Sequence, residues 1–186
     1  MKLLSSSLNG LKLFSSIRFE DNRGFFSELY HKENLEEFGI EHSFLQDNQS
    51  LSVLSGTLRG LHFQAPPFAQ AKLVRCGRGA LYDVAVDIRT GSPTFGHWKG
   101  FKLSALNGYQ LYIPIGFAHG FVTLEENTEI VYKCSSYYEP ISERSIRWDS
   151  CGVEWPIQTS PVLSEKDATA CSLDELDSPF IFGENS

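Results

Sequence analysis

The chain has 186 residues, of which 41% are hydrophobic. That suits one globular domain over residues 1–186 and excludes a disordered tail or a coiled coil. Lys and Arg number 16 against 23 Asp and Glu, a net charge of -7, so the bulk field repels nucleic acid and anionic membranes, and an anionic ligand needs a local basic pocket.

At the N-terminus, Ser, Asn and Gly interrupt MKLLSSSLNGLKLF, and a signal peptide is not expected. The first helix is predicted over Lys32–Phe38, with Leu35 and Phe38 on one face. A strand over Leu58–Gln64 puts Leu58, Gly60, His62 and Gln64 on one face, and Lys72 is expected to begin the next strand of the same hairpin. Ala80–Ile88 alternates, with Leu81, Asp83, Ala85 and Asp87 on one side, so two carboxylates share a face. The most apolar stretch, Leu111–Leu124, is broken by Pro114, Gly116, His119 and Gly120, well short of the roughly 20 apolar residues that cross a bilayer. In Glu129–Lys133, Ile130 and Tyr132 face one way and Glu129 and Val131 the other. A second helix is predicted over Glu165–Leu176, capped by Ser164, before an acidic tail, Asp174–Ser186, that ends in loop.

Turn signals such as Asp21-Asn22-Arg23-Gly24, Gly91-Ser92-Pro93 and Asn107-Gly108 punctuate these runs. With 13% aromatic residues and 15 Gly, the pattern is that of an all-β barrel or jelly roll with short flanking helices. Cys76, Cys134, Cys151 and Cys171 have no C-x-x-C spacing, which reads as free thiols in a reducing cytosol and places the protein in the cytoplasm.

His62 and Lys72, facing one cavity, supply a base near neutral pH and a fixed cation, whereas each alone reads as a packed histidine or a solvated lysine. The run Pro114–Phe121 around His119 reads either as backbone approaching a ligand or as a tightly packed bend. Tyr132 is either core or a phenol projecting inward as an acid. A metal is disfavoured, because His62 is followed by Phe63-Gln64 and lacks the His-x-His of metal-binding barrels. There is no G-x-S-x-G, no phosphate-cradling loop and no G-x-G-x-x-G. Trp98, Trp148 and Trp155 are read as packing, and Lys99 and Lys102 as solvated charges.

In order along the chain stand Asp21–Glu28, Gln46–Ser50, Leu58–Gln64, Gln70–Val74, Asp83–Arg89, Pro114–Phe121, Tyr132-Lys133 and Leu163–Asp167. Taken together, from Phe19 to Asp167, they resemble the dTDP-4-dehydrorhamnose 3,5-epimerase family; only the loop from Trp148 to Trp155 looks shorter than in relatives. The resemblance implies a cupin-type double-stranded β-helix, a homodimer exchanging N-terminal strands, and no metal or other cofactor. It implies His62 as general base, Asp167 as its orienting carboxylate, Tyr132 as the acid on the opposite face and Lys72 beside the substrate ketone. It further implies that Arg23, Glu28, Gln46, Asn48, Arg59, His119, Glu143 and Lys166 hold the nucleotide, diphosphate or sugar, and that Tyr138 stacks on thymine.

The substrate implied is a dTDP-linked 4-keto-6-deoxy sugar, with no nucleic acid or membrane partner. Removing a proton from C3 or C5 of such a sugar leaves an enolate whose charge sits on the C4 oxygen. A fixed ammonium there contributes on the order of 3 kcal/mol, as one oxyanion donor does. Reprotonation from the other face needs a second group, the role implied for Tyr132. Four other readings stay open: a single-site C3 or C5 epimerase, a ketoisomerase in the same barrel, a cupin that binds a sugar nucleotide without turning it over and, as a minor one, a metal-dependent cupin enzyme.

Overall fold

A computed structural model describes residues 1–183. The chain opens with β1 (Lys2–Ser7) and β2 (Leu11–Ser15), followed by a separate hairpin of β3 (Phe19–Asp21) and β4 (Gly24–Phe26) and by helix α1 (Lys32–Glu36). Then come β5 (Gln46–Ser52), β6 (Leu58–Gln64), β7 (Lys72–Arg78), β8 (Ala80–Asp87), β9 (Trp98–Ser104), β10 (Tyr109–Ile113), β11 (Phe117–Thr123) and β12 (Thr128–Cys134). β13 (Glu143–Ser145) and helix α2 (Glu165–Ala168) follow.

One sheet has the order β1-β2-β10-β7-β12-β5 and the other β13-β6-β11-β8-β9. From β5 to β12 the chain passes repeatedly from one sheet to the other, which is the winding of the cupin-type double-stranded β-helix. Leu13, Val74 and Ile130 of the first sheet pack against Leu81, Leu103 and Phe121 of the second, and this shared apolar layer is what joins the sheets. A second cluster covers the outer face of the five-stranded sheet, where Val84, Val86 and Ile88 meet Ile146, Cys151 and Phe180. β8 is therefore buried on both faces, and its alternation separates two cores, with Asp83 and Asp87 on the side of Leu81 and Ala85.

Two local expectations are corrected. β6 and β7 do not form a hairpin: the connection from Ala65 to Ala71 carries the chain between sheets, so His62 and Lys72 meet across the barrel. The helix expected over Glu165–Leu176 stops at Ala168, because Cys171 bridges to Ile146 and Ser172 starts a new 3-10 turn with a capping box to Glu175. After the 3-10 turn the described part of the acidic tail runs as loop, and it is tied to the barrel: the Thr90 N–H donates to the Phe180 carbonyl and the Phe180 side chain is buried. Its last three residues lie outside the described part.

Helix α1 also ends before Phe38. Gly39, at φ +74, donates to the Glu36 carbonyl while the Ile40 N–H reaches Leu35, a Schellman closure that buries Leu35 with Ile40. The four cysteines are unpaired. Trp98 and Trp155 pack on the outer core, their indoles donating to the carbonyls of Gly152 and Trp148. Among the described residues no helix is long and apolar enough to cross a membrane.

Candidate active site

β6 and β11 pair with His62 directly opposite His119. They approach closely because residues 60 and 120 are both glycine: a Cβ on Gly60, whose φ is +124, would lie 2.6 Å from the Gly120 Cα. On the facing sheet, β7 and β12 pair with Lys72 opposite Cys134 and Tyr132 opposite Val74. Helix α2 closes one side. Its cap, Ser164, accepts the Asp167 N–H at 3.1 Å and so turns the carboxylate of Asp167 inward.

These elements enclose a cavity of about 380 Å³ lined by Arg59, His62, Lys72, His119, Tyr132, Lys166 and Asp167. A smaller compartment shares His62, Lys72 and Tyr132 and adds Gln46, Asn48, Tyr138 and Glu143. Of the residues singled out from the sequence, only Arg23 and Glu28 lie outside. Arg23 is exposed beside Asp21 at 2.5 Å, and Glu28 accepts from Asn34 at 3.0 Å.

Asp167 Oδ1 stands 2.6 Å from His62 Nε2. A carboxylate can only accept, so Nε2 carries the proton and Nδ1 is left as the basic nitrogen. Burial pushes the Asp167 carboxyl up, but the hydrogen bond and charge of His62, with help from Ser164 and the Gly60 backbone, outweigh it and hold the group below the usual carboxylate range. Lys72 has no ion pair among the described residues, and its Nζ lies 6.0 Å from the centre of the Tyr132 ring. Burial draws its ammonium below the ordinary lysine range, against the opposing charges of Cys134, Asp83 and Glu143. Burial raises the Tyr132 phenol, which keeps it protonated and able to donate.

At the mouth, Tyr138 donates its hydroxyl to Glu143 Oε2 at 2.9 Å, and Lys166 pairs with the same oxygen at 2.6 Å. Gln46 accepts the Tyr138 N–H at 2.9 Å and donates to Asn48 at 2.8 Å. Arg59 is steadied by Ser52 at 3.2 Å. Two further residues shape the site without having been singled out for it. Gln64, 4% exposed, donates to the Phe68 carbonyl at 2.6 Å and accepts the Glu139 N–H at 2.7 Å, which fixes the loop that carries Tyr138. Asp83 bonds His119; its place on the inward face of β8 was the available signal. Among the described residues no three His, Cys, Asp or Glu side chains converge as a metal cage.

The family model described as dTDP-4-dehydrorhamnose 3,5-epimerase matches residues 5–175. The chain belongs to that family. Within the dTDP-4-dehydrorhamnose 3,5-epimerase family, the relative from Salmonella typhimurium is 55% identical over 160 residues, covering 84% of this chain and 87% of its own. The relative from Sinorhizobium fredii is 49% identical over 178 residues, covering 95% and 91%. The crystal structure of a dTDP-6-deoxy-D-glucose-3,5-epimerase from Legionella pneumophila, in complex with dTDP-4-keto-L-rhamnose, superposes with a TM-score of 0.91 at 44% identity and covers 95% of this chain and 94% of that one.

Proposed function

We propose that this chain is a dTDP-4-dehydrorhamnose 3,5-epimerase, converting dTDP-4-dehydro-6-deoxy-D-glucose to dTDP-4-dehydro-L-rhamnose by cofactor-independent proton exchange at C3 and C5. The carrying observation is the His62–Asp167 pair on one wall of the cavity and Tyr132 on the other, with the unpaired ammonium of Lys72 between the same two sheets. His62 Nδ1 removes the proton next to the ketone, and Asp167 stabilises the imidazolium that forms. Lys72 meets the charge developing on the C4 oxygen. Tyr132 returns a proton from the opposite face, which inverts the carbon. Arg59 and Lys166 face the diphosphate, Gln46, Asn48 and Glu143 hold the nucleotide end, and Tyr138 stacks on the base.

The reading includes a homodimer in which a second copy supplies Arg23 and Glu28. Its support is that the β3–β4 hairpin holds Arg23 away from this chain's own cavity and leaves Phe19 62% and Phe26 69% exposed. It also includes a cytoplasmic setting, consistent with four unpaired thiols. In D₂O the enzyme takes up deuterium at both C3 and C5; uptake at one carbon only reduces it to a single-site epimerase. Mixing His62→Ala with Arg23→Ala chains restores activity if each site is built from two copies.

A further inference from the structure

The cavity holds a second His–Asp pair. Both carboxylate oxygens of Asp83 straddle His119 Nε2, at 2.9 and 3.0 Å, with the carboxylate wholly buried and the ring 7% exposed. The sequence offers no local reason for the pair: Asp83 is on β8 and His119 on β11, joined only by the register of those strands. Because His119 is opposite His62 on β6, the two imidazoles stand side by side, each with its Nε2 turned to a carboxylate from another element. His119 Nδ1 has no hydrogen-bond partner among the described residues, and the ring lines the cavity.

We propose that Asp83 is a positioning residue that fixes His119 in the tautomer protonated on Nε2, so that Nδ1 accepts a hydrogen bond from a sugar hydroxyl of the substrate. The tautomer follows from hydrogen-bond chemistry: a carboxylate accepts and cannot donate, so the proton between the pair belongs to the ring, and the remaining nitrogen is a lone-pair acceptor. A hydroxyl, unlike a ketone or a phosphate oxygen, can donate to it. The charged and titratable groups facing His119 besides Asp83 are His62 on β6 and Lys72 on β7, and the side chains of His119, His62 and Lys72, with that of Tyr132, line the cavity. Burial disfavours a charged His119 ring and outweighs the opposing charge of Asp83, which leaves Nδ1 unprotonated.

The inference rests on the epimerase reading, and the wild-type enzyme tests that separately: no exchange of either proton in D₂O removes the function, whereas the following measurements concern Asp83 alone. Asp83→Asn keeps the shape but lets an amide either donate or accept, so the tautomer is no longer fixed. It is expected to lower kcat about tenfold or more, with dTDP affinity held. Combined with His119→Gln it causes no further loss in kcat beyond the worse single variant. Unchanged kcat, or losses that multiply in the double variant, overturn the proposal. A readout needing no variant is the nitrogen spectrum of the wild-type His119 ring: a bare Nδ1 and a protonated Nε2 at neutral pH are expected, and a protonated Nδ1 overturns the proposal.

Discussion

His62 and Tyr132 reach the same cavity from different sheets, the histidine from β6 and the tyrosine from β12. A flat sugar ring between them meets a base on one face and a phenol on the other. Loss of a proton and its return can therefore be uncoupled by removing one wall at a time.

Tyr132→Phe removes the donor and leaves the base. Deuterium from D₂O is expected to enter the substrate with retained configuration, while formation of inverted product falls about 100-fold, the scale of one general acid. Product and recovered substrate are compared by proton NMR. Inversion at near wild-type rate would remove Tyr132 from the mechanism.

Asp167→Asn leaves His62 in place and frees its tautomer, so exchange at both carbons is expected to fall by about 100-fold or more. The same substitution has a signature in stability. The folded pKa of Asp167 is depressed below its ordinary 3.8, so its contribution is present above that value and is lost as pH falls through the lower folded value. Acid unfolding of the variant is expected to lack this portion of the pH dependence, which denaturant titrations between pH 5 and pH 2 can measure.

Lys72 sets function against stability. It is a half-buried cation without an ion pair among the described residues, and its depressed pKa means that the fold disfavours the charged form. Lys72→Met is expected to abolish turnover yet stabilise the chain by on the order of 1 kcal/mol, roughly 2–4 °C in Tm for this size. In the wild type, activity that needs the ammonium is lost as pH rises through a value below the ordinary 10.5. A Tm that falls on substitution would mean that the lysine is structural.

How far the sequence foretold this arrangement depends on how local each feature is. The alternation of β8, the Ser164 cap and the short runs between turn signals are properties of neighbouring residues, and all of them appear in the structure. The partner of β6 is a different kind of fact. Adjacent short strands suggested a hairpin, yet the barrel pairs β6 with β11 and β13, strands far along the chain. Asp83 was visible as an inward carboxylate, but its bond to His119 depends on the β8–β11 register, to which no short motif refers. The helix after Ser164 was overextended because its polar first turn continues smoothly into Ala170, whereas the bridge from Cys171 to Ile146 that ends it is tertiary.

Asp87 and Arg89 show the same contrast between local spacing and tertiary consequence, and they carry a final prediction. Arg89 is 6% exposed; its Nε donates to Asp87 Oδ1 at 2.9 Å, one terminal nitrogen to Asp87 Oδ2 at 2.8 Å, and the rest of the fork to the carbonyls of Leu8 and Asn9. Its guanidinium sits 4.5 Å from the Phe117 ring centre and 5.0 Å from that of Phe182, so the tail is stacked on a buried charge. Burial raises the Asp87 carboxyl, but Arg89, Ser92 and Thr94 together hold it below its ordinary range. Asp87→Ala leaves that guanidinium without its counter-charge and is expected to cost about 3–5 kcal/mol. Hydrogen exchange should then accelerate first at Thr90 and Phe182, whose amides join the tail to the barrel. Adding Arg89→Met removes the stranded charge and should recover most of the loss; a double variant no more stable than Asp87→Ala alone would place the stabilisation in the Ser92 and Thr94 hydrogen bonds instead of the ion pair.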